Sequence, residues 1–346
     1  MNHVPAALAQ LVWDERRSAE LVELGHDPTA AARVMRVDRG YASLRAARCD
    51  VRLATDHLET QLAVGDWVVI GDECRIGTVL ERRTLLERRM PVDSSSSPVV
   101  AANVDIVVIA NALDHSFSAR RLERFLLVAW ESGATPLVVL TKADAHPDLP
   151  AAVAEAEASA LGAPVLPLSV RTGLGLEELR ERLTGSTAVL LGRSGAGMST
   201  LVNALVGADV AATAEVRRDG KGRHTTTHRE LHLLAGGGVL IDTPGLRAVL
   251  PHDMGRAAER AFGDIEELAE TCRFGDCGHA GEPGCAVAAA VADGELSRER
   301  FVAWQRAEHD RLSLDRRSDP AALSEQRRHH RSLNRSLRAA RKKHWI

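Results

Sequence analysis

Residues 192–200 read Gly192-Arg-Ser-Gly-Ala-Gly-Met-Ser-Thr200, and this stretch decides the fold of the chain around it. An apolar run, Ala188-Val-Leu-Leu191, precedes it, and a second one, Leu201-Val-Asn-Ala-Leu-Val206, follows it. This order predicts a strand, a glycine-rich turn and a helix, which is the arrangement of a phosphate-binding P-loop. Glycines let the backbone approach phosphate oxygens closely, because no Cβ stands in the way.

The whole loop is predicted to bind a nucleotide, with its backbone N–H groups directed at the phosphates. Ser199 stands where a hydroxyl that binds Mg²⁺ belongs. The predicted nucleotide-binding residues of this loop are Gly192, Arg193, Ser194, Gly195, Ala196, Gly197, Met198, Ser199 and Thr200.

One position departs from the P-loop pattern Gly-x4-Gly-Lys-[Ser/Thr], because Met198 stands where the lysine belongs. The lysine of this pattern neutralises the β- and γ-phosphates. Losing one partner of a buried charge contact costs about 2–5 kcal/mol, which is roughly 30- to several thousand-fold in an equilibrium or a rate. Three outcomes are open: Arg193 or Lys221 compensates, the protein binds nucleotide weakly and hydrolyses it slowly, or the chain is inactivated.

A second motif, Asp242-Thr-Pro-Gly245, ends another apolar run and matches the Asp-x-x-Gly box of GTPases. The aspartate of such a box holds Mg²⁺ through water, and the glycine N–H contacts the γ-phosphate. Between the P-loop and this box lies Gly220-Lys-Gly-Arg-His-Thr-Thr-Thr227, where a first switch loop belongs. We expect Thr226 from this loop to complete the Mg²⁺ coordination, and a surface loop without a role is the alternative.

A third motif, Thr141-Lys-Ala-Asp144, matches the [Asn/Thr]-Lys-x-Asp box that recognises guanine. The carboxylate of Asp144 can accept hydrogen bonds from guanine N1–H and from the exocyclic amine, which adenine does not supply. The stem of Lys142 can lie over the base, and Ser169 follows where a base-contacting loop belongs. Taken alone, the box would more simply be a loop with a hydrogen-bonded aspartate.

The order of these motifs is unusual, because Asp144 precedes Gly192 by about fifty residues, whereas the P-loop of an ordinary GTPase comes first. Apolar runs alternate with helical patterns over residues 105–242, which predicts a doubly wound parallel sheet with ligands at the carboxyl ends of its strands. A permuted chain can build the same sheet, since domain termini lie at the surface and often close together. The sequence therefore predicts a circularly permuted α/β P-loop GTPase fold.

Upstream of this domain, five short β-type runs between residues 32 and 80 alternate with glycine turns. They suggest a small OB-type barrel over about residues 33–91, and an unspecified β-domain fits the pattern equally well. Ser94-Ser-Ser-Ser97 is a polar link. We expect an N-terminal region with the barrel (1–93), the GTPase domain (98–250) and a C-terminal α-helical zinc-binding domain with a basic tail (251–346). Residues 1–30 carry no pattern that indicates their function.

Cys272, Cys277, His279 and Cys285 lie within fourteen residues, in a segment rich in glycine. Three thiolates and an imidazole at this spacing are typical of a closed, structural zinc site, with one ion per chain. Free cysteines in a helical core are the alternative, and the glycines argue against a helix. Zinc would stabilise a segment too small to fold around its own core.

The 346 residues carry a formal net charge of −3 and are 45% hydrophobic, as in ordinary soluble proteins. No apolar run approaches the roughly 18 residues that span a membrane, and Met1-Asn-His-Val-Pro does not begin a signal peptide. We therefore expect a cytoplasmic, monomeric protein without a membrane partner. Residues 326–343 carry eight basic residues and no acid, which favours a phosphate-bearing partner such as RNA.

Taken together, the motifs resemble those of the RsgA (YjeQ) family, circularly permuted GTPases that depend on the small ribosomal subunit. The resemblance runs in matching order from about residue 20 to 310. The matching segments are Val64-Gly-Asp-Trp-Val68, Ala101-Ala-Asn-Val-Asp105, Leu140-Thr-Lys-Ala-Asp144, Thr172-Gly-Leu-Gly-Leu176, the P-loop, Gly222-Arg-His-Thr-Thr-Thr227, Asp242-Thr-Pro-Gly-Leu246 and the Cys3His set.

The resemblance implies a GTP-binding and GTP-hydrolysing ribosome biogenesis factor that acts late in small-subunit maturation and binds rRNA. Its cofactors would be Mg²⁺ with GTP and one structural Zn²⁺, and the small subunit would stimulate hydrolysis. The catalytic residues that it implies are His224, Thr226, Asp242 and Gly245. Two hypotheses remain. One is a GTPase impaired by Met198 to a degree that the sequence leaves open, and the other is a catalytically silent RNA-binding scaffold of the same fold.

Overall fold

The structure is a computed structural model that describes residues 6–71, 74–87, 99–114, 117–210, 229–242, 254–275 and 277–318. These residues form two compact units, one with the described residues up to Gly263 and the other with those from Asp264 onward. The predicted link at 94–97 and the basic tail at 326–343 lie outside the described residues. Within the ranges given, no helix is long and apolar enough to cross a membrane.

The first unit contains all of the strands found in the part of the chain that the structure describes. Their bounds are β1 Ala31–Asp38, β2 Tyr41–Ala46, β3 Asp50–Ala54, β4 Trp67–Ile70, β5 Ile76–Val79, β6 Leu85–Glu87, β7 Val99–Ala102, β8 Ile106–Ala112, β9 Thr135–Thr141, β10 Val165–Pro167, β11 Thr187–Gly192, β12 Glu230–Leu233 and β13 Val239–Asp242. Strands β6 and β7 form a separate antiparallel pair, and the others belong to one mixed sheet.

Helices flank these strands in the first unit and make up the second. Their bounds are α1 Ala6–Ala9, α2 Glu15–Glu23, α3 Ala119–Ser132, α4 Leu149–Ala158, α5 Leu176–Leu183, α6 Met198–Val206, α7 Met254–Glu270, α8 Ala286–Asp293 and α9 Arg298–Ser318, with 3-10 turns at Pro28–Ala30 and Ala143–Ala145. Helix α7 begins in the first unit and ends in the second. Helices α8 and α9 agree with the predicted helical C-terminal region.

The central part of the sheet confirms the predicted permuted fold. Strands β10, β9, β8, β11 and β13 lie side by side in this order and run parallel. Strand β11, which leads into the P-loop, lies between β8 and β13. Side chains of α5 and α6 pack on alternate residues of these strands, among them Val108, Leu190 and Leu240, which share one face of the sheet because strand side chains alternate.

The five predicted upstream strands are present as β1 to β5, in the antiparallel order β3-β2-β1-β4-β5. Apolar side chains on one face form their own core, which includes Val34, Leu44, Val68 and Ile76. Among the described residues, β3 does not pair with β5, which is the pairing that would close the array into a barrel. The OB-type barrel therefore remains a prediction, and this partly open array of strands is compatible with it.

A buried arginine connects this upstream array to the strand of the P-loop. Arg33 in β1 is 1% exposed; its guanidinium donates to Thr187 Oγ1 at the start of β11, 2.8 Å away, and to the carbonyl of Leu11. It also lies over the ring of Trp67, 5.0 Å from the centroid. Burial lowers the pKa of Arg33, and the nearby Asp105 carboxylate opposes this effect. The array and the parallel part of the sheet thus share one hydrogen-bonded core.

Candidate functional site

The P-loop joins β11 to α6 at the carboxyl end of the strand. Glycine is required at Gly192, because a Cβ there would lie 2.5 Å from the carbonyl oxygen of Ala110. Gly195 and Gly197 have φ angles of 86° and 78°, in the left-handed region that glycine adopts without strain. The N-cap of α6 is Gly197, which has no side chain to cap the helix, so the first N–H groups of α6 are suited to an anionic ligand.

The other side chains of the loop differ in exposure. Arg193 and Thr200 are exposed, Ser194 and Ser199 are half-buried, and Ala196 is buried. The Ala196 amide donates to the carbonyl of Arg193, 3.0 Å away, and closes the turn. Ser199 lies in the first turn of α6, where a P-loop hydroxyl for Mg²⁺ belongs.

Met198 packs against the core of the sheet. It is half-buried and contacts the apolar cluster below α6. Its Sδ would lie 3.2 Å from a Cβ placed on Gly192, so the thioether is directed back at the end of β11. The side chain therefore contributes packing and brings no charge to the loop. Arg193 is the exposed cation next to the first glycine of the loop.

Asp242 ends β13, the strand that pairs with β11. Burial raises the pKa of its carboxyl, and His232 on the neighbouring strand opposes this shift. No hydrogen bond from a residue that the structure describes offsets the desolvation of this carboxylate. Such a group favours a nearby cation, which fits the predicted role of Asp242 at Mg²⁺. The other predicted catalytic residues, His224, Thr226 and Gly245, lie outside the described residues.

The predicted base-recognition box begins at the carboxyl end of β9. Thr141 is 4% exposed, and its hydroxyl donates to the carbonyl of Ala196, 2.7 Å away, in the P-loop. Lys142 adopts a left-handed backbone with φ of 61°, and its ammonium lies 3.4 Å from the carboxylate of Asp114 beyond β8. The structure therefore brings the box and the P-loop into direct contact, as expected for two ends of one ligand site.

Asp144 is hydrogen-bonded on both carboxylate oxygens. The Ser169 hydroxyl donates to Oδ1 at 2.5 Å, and the Arg171 guanidinium donates to Oδ2 through Nε at 2.8 Å. Ser169 and then Arg171 hold the pKa of the Asp144 carboxyl below its ordinary value. Asp144 thus contacts the loop after β10 through Ser169, which the sequence places where a base-contacting loop belongs, and its carboxylate is ionised at neutral pH.

The four predicted zinc ligands lie together in the second unit, between α7 and α8. One donor atom from each of Cys272, Cys277, His279 and Cys285 lies within 4.8 Å of the others. The Sγ atoms of Cys272 and Cys285 are 3.9 Å apart, and they lie 3.6 and 3.4 Å from His279 Nδ1. Tetrahedral zinc, with bonds of about 2.3 Å to sulfur and 2.0–2.1 Å to nitrogen, would separate these pairs by about 3.8 and 3.6 Å. The donor set therefore fits zinc.

Comparison with known proteins places the chain in a family. The model of a family described as RsgA GTPase matches residues 79–250. A small ribosomal subunit biogenesis GTPase RsgA of Streptomyces coelicolor is 44% identical over 344 residues, which cover 95% of this chain and 93% of that protein. The chain belongs to the RsgA family of GTPases. A second such protein, from Streptomyces avermitilis, is 44% identical and covers 91% of this chain and 89% of its own.

Two solved structures share the fold. The crystal structure of YjeQ from Thermotoga maritima superposes with a TM-score of 0.61 at 25% identity, covering 82% of this chain and 98% of that chain. The structure of YloQ, described as a circularly permuted GTPase, gives the same TM-score of 0.61 at 23% identity over 82% of this chain and 95% of its own. The permuted topology deduced from motif order therefore agrees with the fold of solved proteins.

Three polar residues at the sites of this RsgA-family chain are not among those that its sequence predicts. Arg171 and Asp114 pair with the base-recognition box, and Glu282 accepts hydrogen bonds from the amides of Gly278 and Ala280, 3.1 and 2.7 Å away, in the zinc loop. Arg171 lies two residues after Ser169, which was the available signal. The sequence carries no such signal for Asp114 and Glu282, because acidic residues in surface loops are common.

Proposed function

We propose that this chain binds GTP, hydrolyses it to GDP, and acts in biogenesis of the small ribosomal subunit, as its relatives are named to do. One observation carries the proposal. Thr141 of the guanine-recognition box donates a hydrogen bond to Ala196 of the P-loop. A box for the base and a loop for the phosphates therefore adjoin at the carboxyl ends of parallel strands, where ligands of this sheet type bind.

In this proposal each part of the site has one role. The amides of residues 192–200 bind the phosphates, Asp144 accepts hydrogen bonds from guanine, and Lys142 flanks the base. Ser199, Asp242 and Thr226 hold Mg²⁺ directly or through water, and Gly245 contacts the γ-phosphate. Bound Mg²⁺ neutralises charge on the phosphates. His224 orients the attacking water.

The test is an equilibrium titration with GTP, GDP and ATP, followed by measurement of GTP hydrolysis with and without small ribosomal subunits. We expect guanine nucleotides to bind more tightly than ATP, and hydrolysis to rise when subunits are added. Equal affinity for ATP and GTP would contradict the role of Asp144. Binding without any hydrolysis, with or without subunits, would leave the scaffold function below as the better account.

A catalytically silent RNA-binding scaffold is the second candidate, and Met198 favours it. The P-loop has no lysine at this position, and the half-buried methionine packs against the core of the sheet. Such a scaffold would bind the small subunit with an affinity that does not change with the nucleotide. Sedimentation with small subunits in GTP and in GDP separates the candidates, because a GTPase switch requires different affinities in the two states.

For the second unit we propose one structural Zn²⁺ per chain at Cys272, Cys277, His279 and Cys285. Metal analysis of chelator-washed protein should find about one zinc per chain. Cys272→Ser should lose it and destabilise the unit, because zinc binding contributes to folding. Cys49→Ser is the matched control, since Cys49 is an exposed cysteine outside this cluster. Full zinc in Cys272→Ser would contradict the assignment.

The partners follow from charge and from the relatives. We propose that the N-terminal region (1–93), the zinc-binding region and the tail (251–346) contact ribosomal RNA, while the GTPase domain (98–250) responds to nucleotide. The eight basic residues of 326–343 supply the phosphate contacts. Binding to the small subunit should therefore weaken steeply as salt increases. We propose that the protein is a monomer and that it acts in the cytoplasm. Light scattering on the free protein tests the oligomeric state.

A further inference from the structure

Arg171 occupies the carboxylate that is assigned to guanine. Its Nε lies 2.8 Å and its terminal nitrogen 2.5 Å from Oδ2 of Asp144. Ser169 donates to the other oxygen. Two adjacent N–H donors in one plane are what an arginine shares with the N1–H and exocyclic amine edge of guanine. Arg171 therefore presents to Asp144 a hydrogen-bonding edge like that of the base.

The two edges compete for the same oxygen. Guanine needs both carboxylate oxygens of Asp144, one for each N–H donor. Arg171 covers Oδ2, and the Asp144 side chain is only 14% exposed beside it. Two nitrogens of Arg171 already contact Oδ2, which has two lone pairs, so the base can bind there only after the guanidinium leaves. The Ser169 hydroxyl can stay, because it uses only one of the two lone pairs of Oδ1.

Displacement of Arg171 is easy. Its side chain is 76% exposed, and an exposed ion pair contributes little in water because both groups can be solvated instead. The pair is therefore strong enough to bias the free protein and weak enough for a nucleotide to break. Arg171 lies two residues after Ser169, so the loop after β10 carries both of the side chains that contact the Asp144 carboxylate.

We propose that Arg171 is a built-in competitor of guanine, a positioning residue that closes the base site of the free protein and lowers its affinity for guanine nucleotides. This inference rests on the proposed function, in which Asp144 recognises the base. When only a fraction of the free protein is open, the apparent dissociation constant rises by the inverse of that fraction. The competitor acts on association, because Arg171 has left Asp144 in the complex.

The experiment measures binding of GDP to the parent protein, Arg171→Ala and Arg171→Lys, by equilibrium titration and by stopped flow with a ribose-labelled fluorescent GDP. Both variants should bind GDP about two- to fivefold more tightly. The gain should appear as faster association with unchanged dissociation. Arg171→Lys keeps the positive charge but loses the planar pair of donors, so it separates the hydrogen-bonding effect from attraction of the phosphates.

Arg182→Ala is the control for loss of one arginine from the same region, because Arg182 pairs with Glu178 on the surface of α5. It should not tighten GDP binding. The ratio of affinities between Arg171→Ala and the parent should also shrink toward one at about 1 M salt, where charges are screened within about 3 Å. A change in the dissociation rate alone would instead indicate a structural role and overturn the proposal.

Two failures are distinguishable. If the parent prefers GDP over ADP but Arg171→Ala and Arg171→Lys bind GDP equally or more weakly than the parent, Arg171 is not a competitor and the proposed function stands. If neither the parent nor the variants prefer GDP over ADP, Asp144 does not recognise guanine, and both proposals fall.

Discussion

The two ends of the nucleotide site carry one aspartate each, and their environments differ. At the base end, Ser169 and Arg171 lower the pKa of Asp144. At the phosphate end, burial raises the pKa of Asp242. The base end is thus electrostatically satisfied in the protein alone. The phosphate end has a desolvated carboxylate and, at Met198, a hydrophobic residue where a P-loop has its cation.

This difference indicates how binding free energy is distributed along the nucleotide. An RsgA-family site with a lysine would take much of its affinity from the phosphates. In this chain the loop offers backbone amides and the positive end of α6. These groups stabilise an anion less than the same groups together with a lysine would. The base end should therefore carry an unusually large share of the affinity, and substitutions at both ends test that distribution.

The largest effect is expected for Asp144→Asn. The carboxylate is replaced by an amide that accepts only one of the two guanine hydrogen bonds and opposes a donor to the other, and hydrogen bonds to a charged group contribute about 1.5–3 kcal/mol each. GDP affinity should fall on the order of 100-fold in an equilibrium titration. Xanthosine diphosphate, which has a carbonyl in place of the amine, should recover part of the loss. An unchanged GDP affinity would show that Asp144 does not bind the base.

Met198→Lys should improve the phosphate end by a smaller factor. Restoring the cation is expected to raise GTP affinity by about 2 kcal/mol, or roughly 30-fold, and to raise the rate of GTP hydrolysis. Met198→Leu is the matched control, because it keeps an apolar side chain of similar volume in the core and brings no charge. If the lysine variant equals the parent in both affinity and rate, another cation already compensates, with Arg193 as the first candidate.

Thr141→Val should weaken the contact between the two ends. The valine removes the hydroxyl that donates to the Ala196 carbonyl, 2.7 Å away, and a hydrogen bond of this type contributes about 1 kcal/mol. Denaturant unfolding should report a loss of that size, and GDP should bind roughly fivefold more weakly. Thr141→Ser keeps the hydroxyl and should behave like the parent. Unchanged GDP binding in the valine variant would mean that the two ends act independently.

Asp242→Asn should have the smallest effect on the free protein, and the effect is stabilising. A carboxyl whose pKa is raised on folding destabilises the folded state when it is ionised, so removing the charge should raise the free energy of unfolding at neutral pH. The gain should shrink as the pH falls through the raised pKa of Asp242, because the parent carboxyl then becomes protonated as well. GTP binding should meanwhile lose its dependence on Mg²⁺. Destabilisation at neutral pH would show that Asp242 is paired in the free protein.

Local patterns were enough for much of this structure. The sequence predicts strands at the apolar runs before residues 141, 192 and 242, and these are β9, β11 and β13. Three to five buried apolar residues between turn signals rarely form anything else. Strand β12 was not predicted, since Glu230–Leu233 mixes polar and apolar residues at the edge of the parallel strands. The pair β6 and β7 was missed for a similar reason, because three- and four-residue strands give almost no periodicity.

By itself, the sequence determined which chemical groups are available and in what order. Glycine spacing specified the P-loop, the order of motifs specified the permutation, and four residues within fourteen specified the zinc ligands, because each depends on neighbours along the chain. Only the tertiary structure decided where the side chains of Met198 and Arg171 lie. The first packs against the core and the second covers Asp144. Contacts between residues distant in sequence depend on how strands are placed side by side, and no local pattern records them.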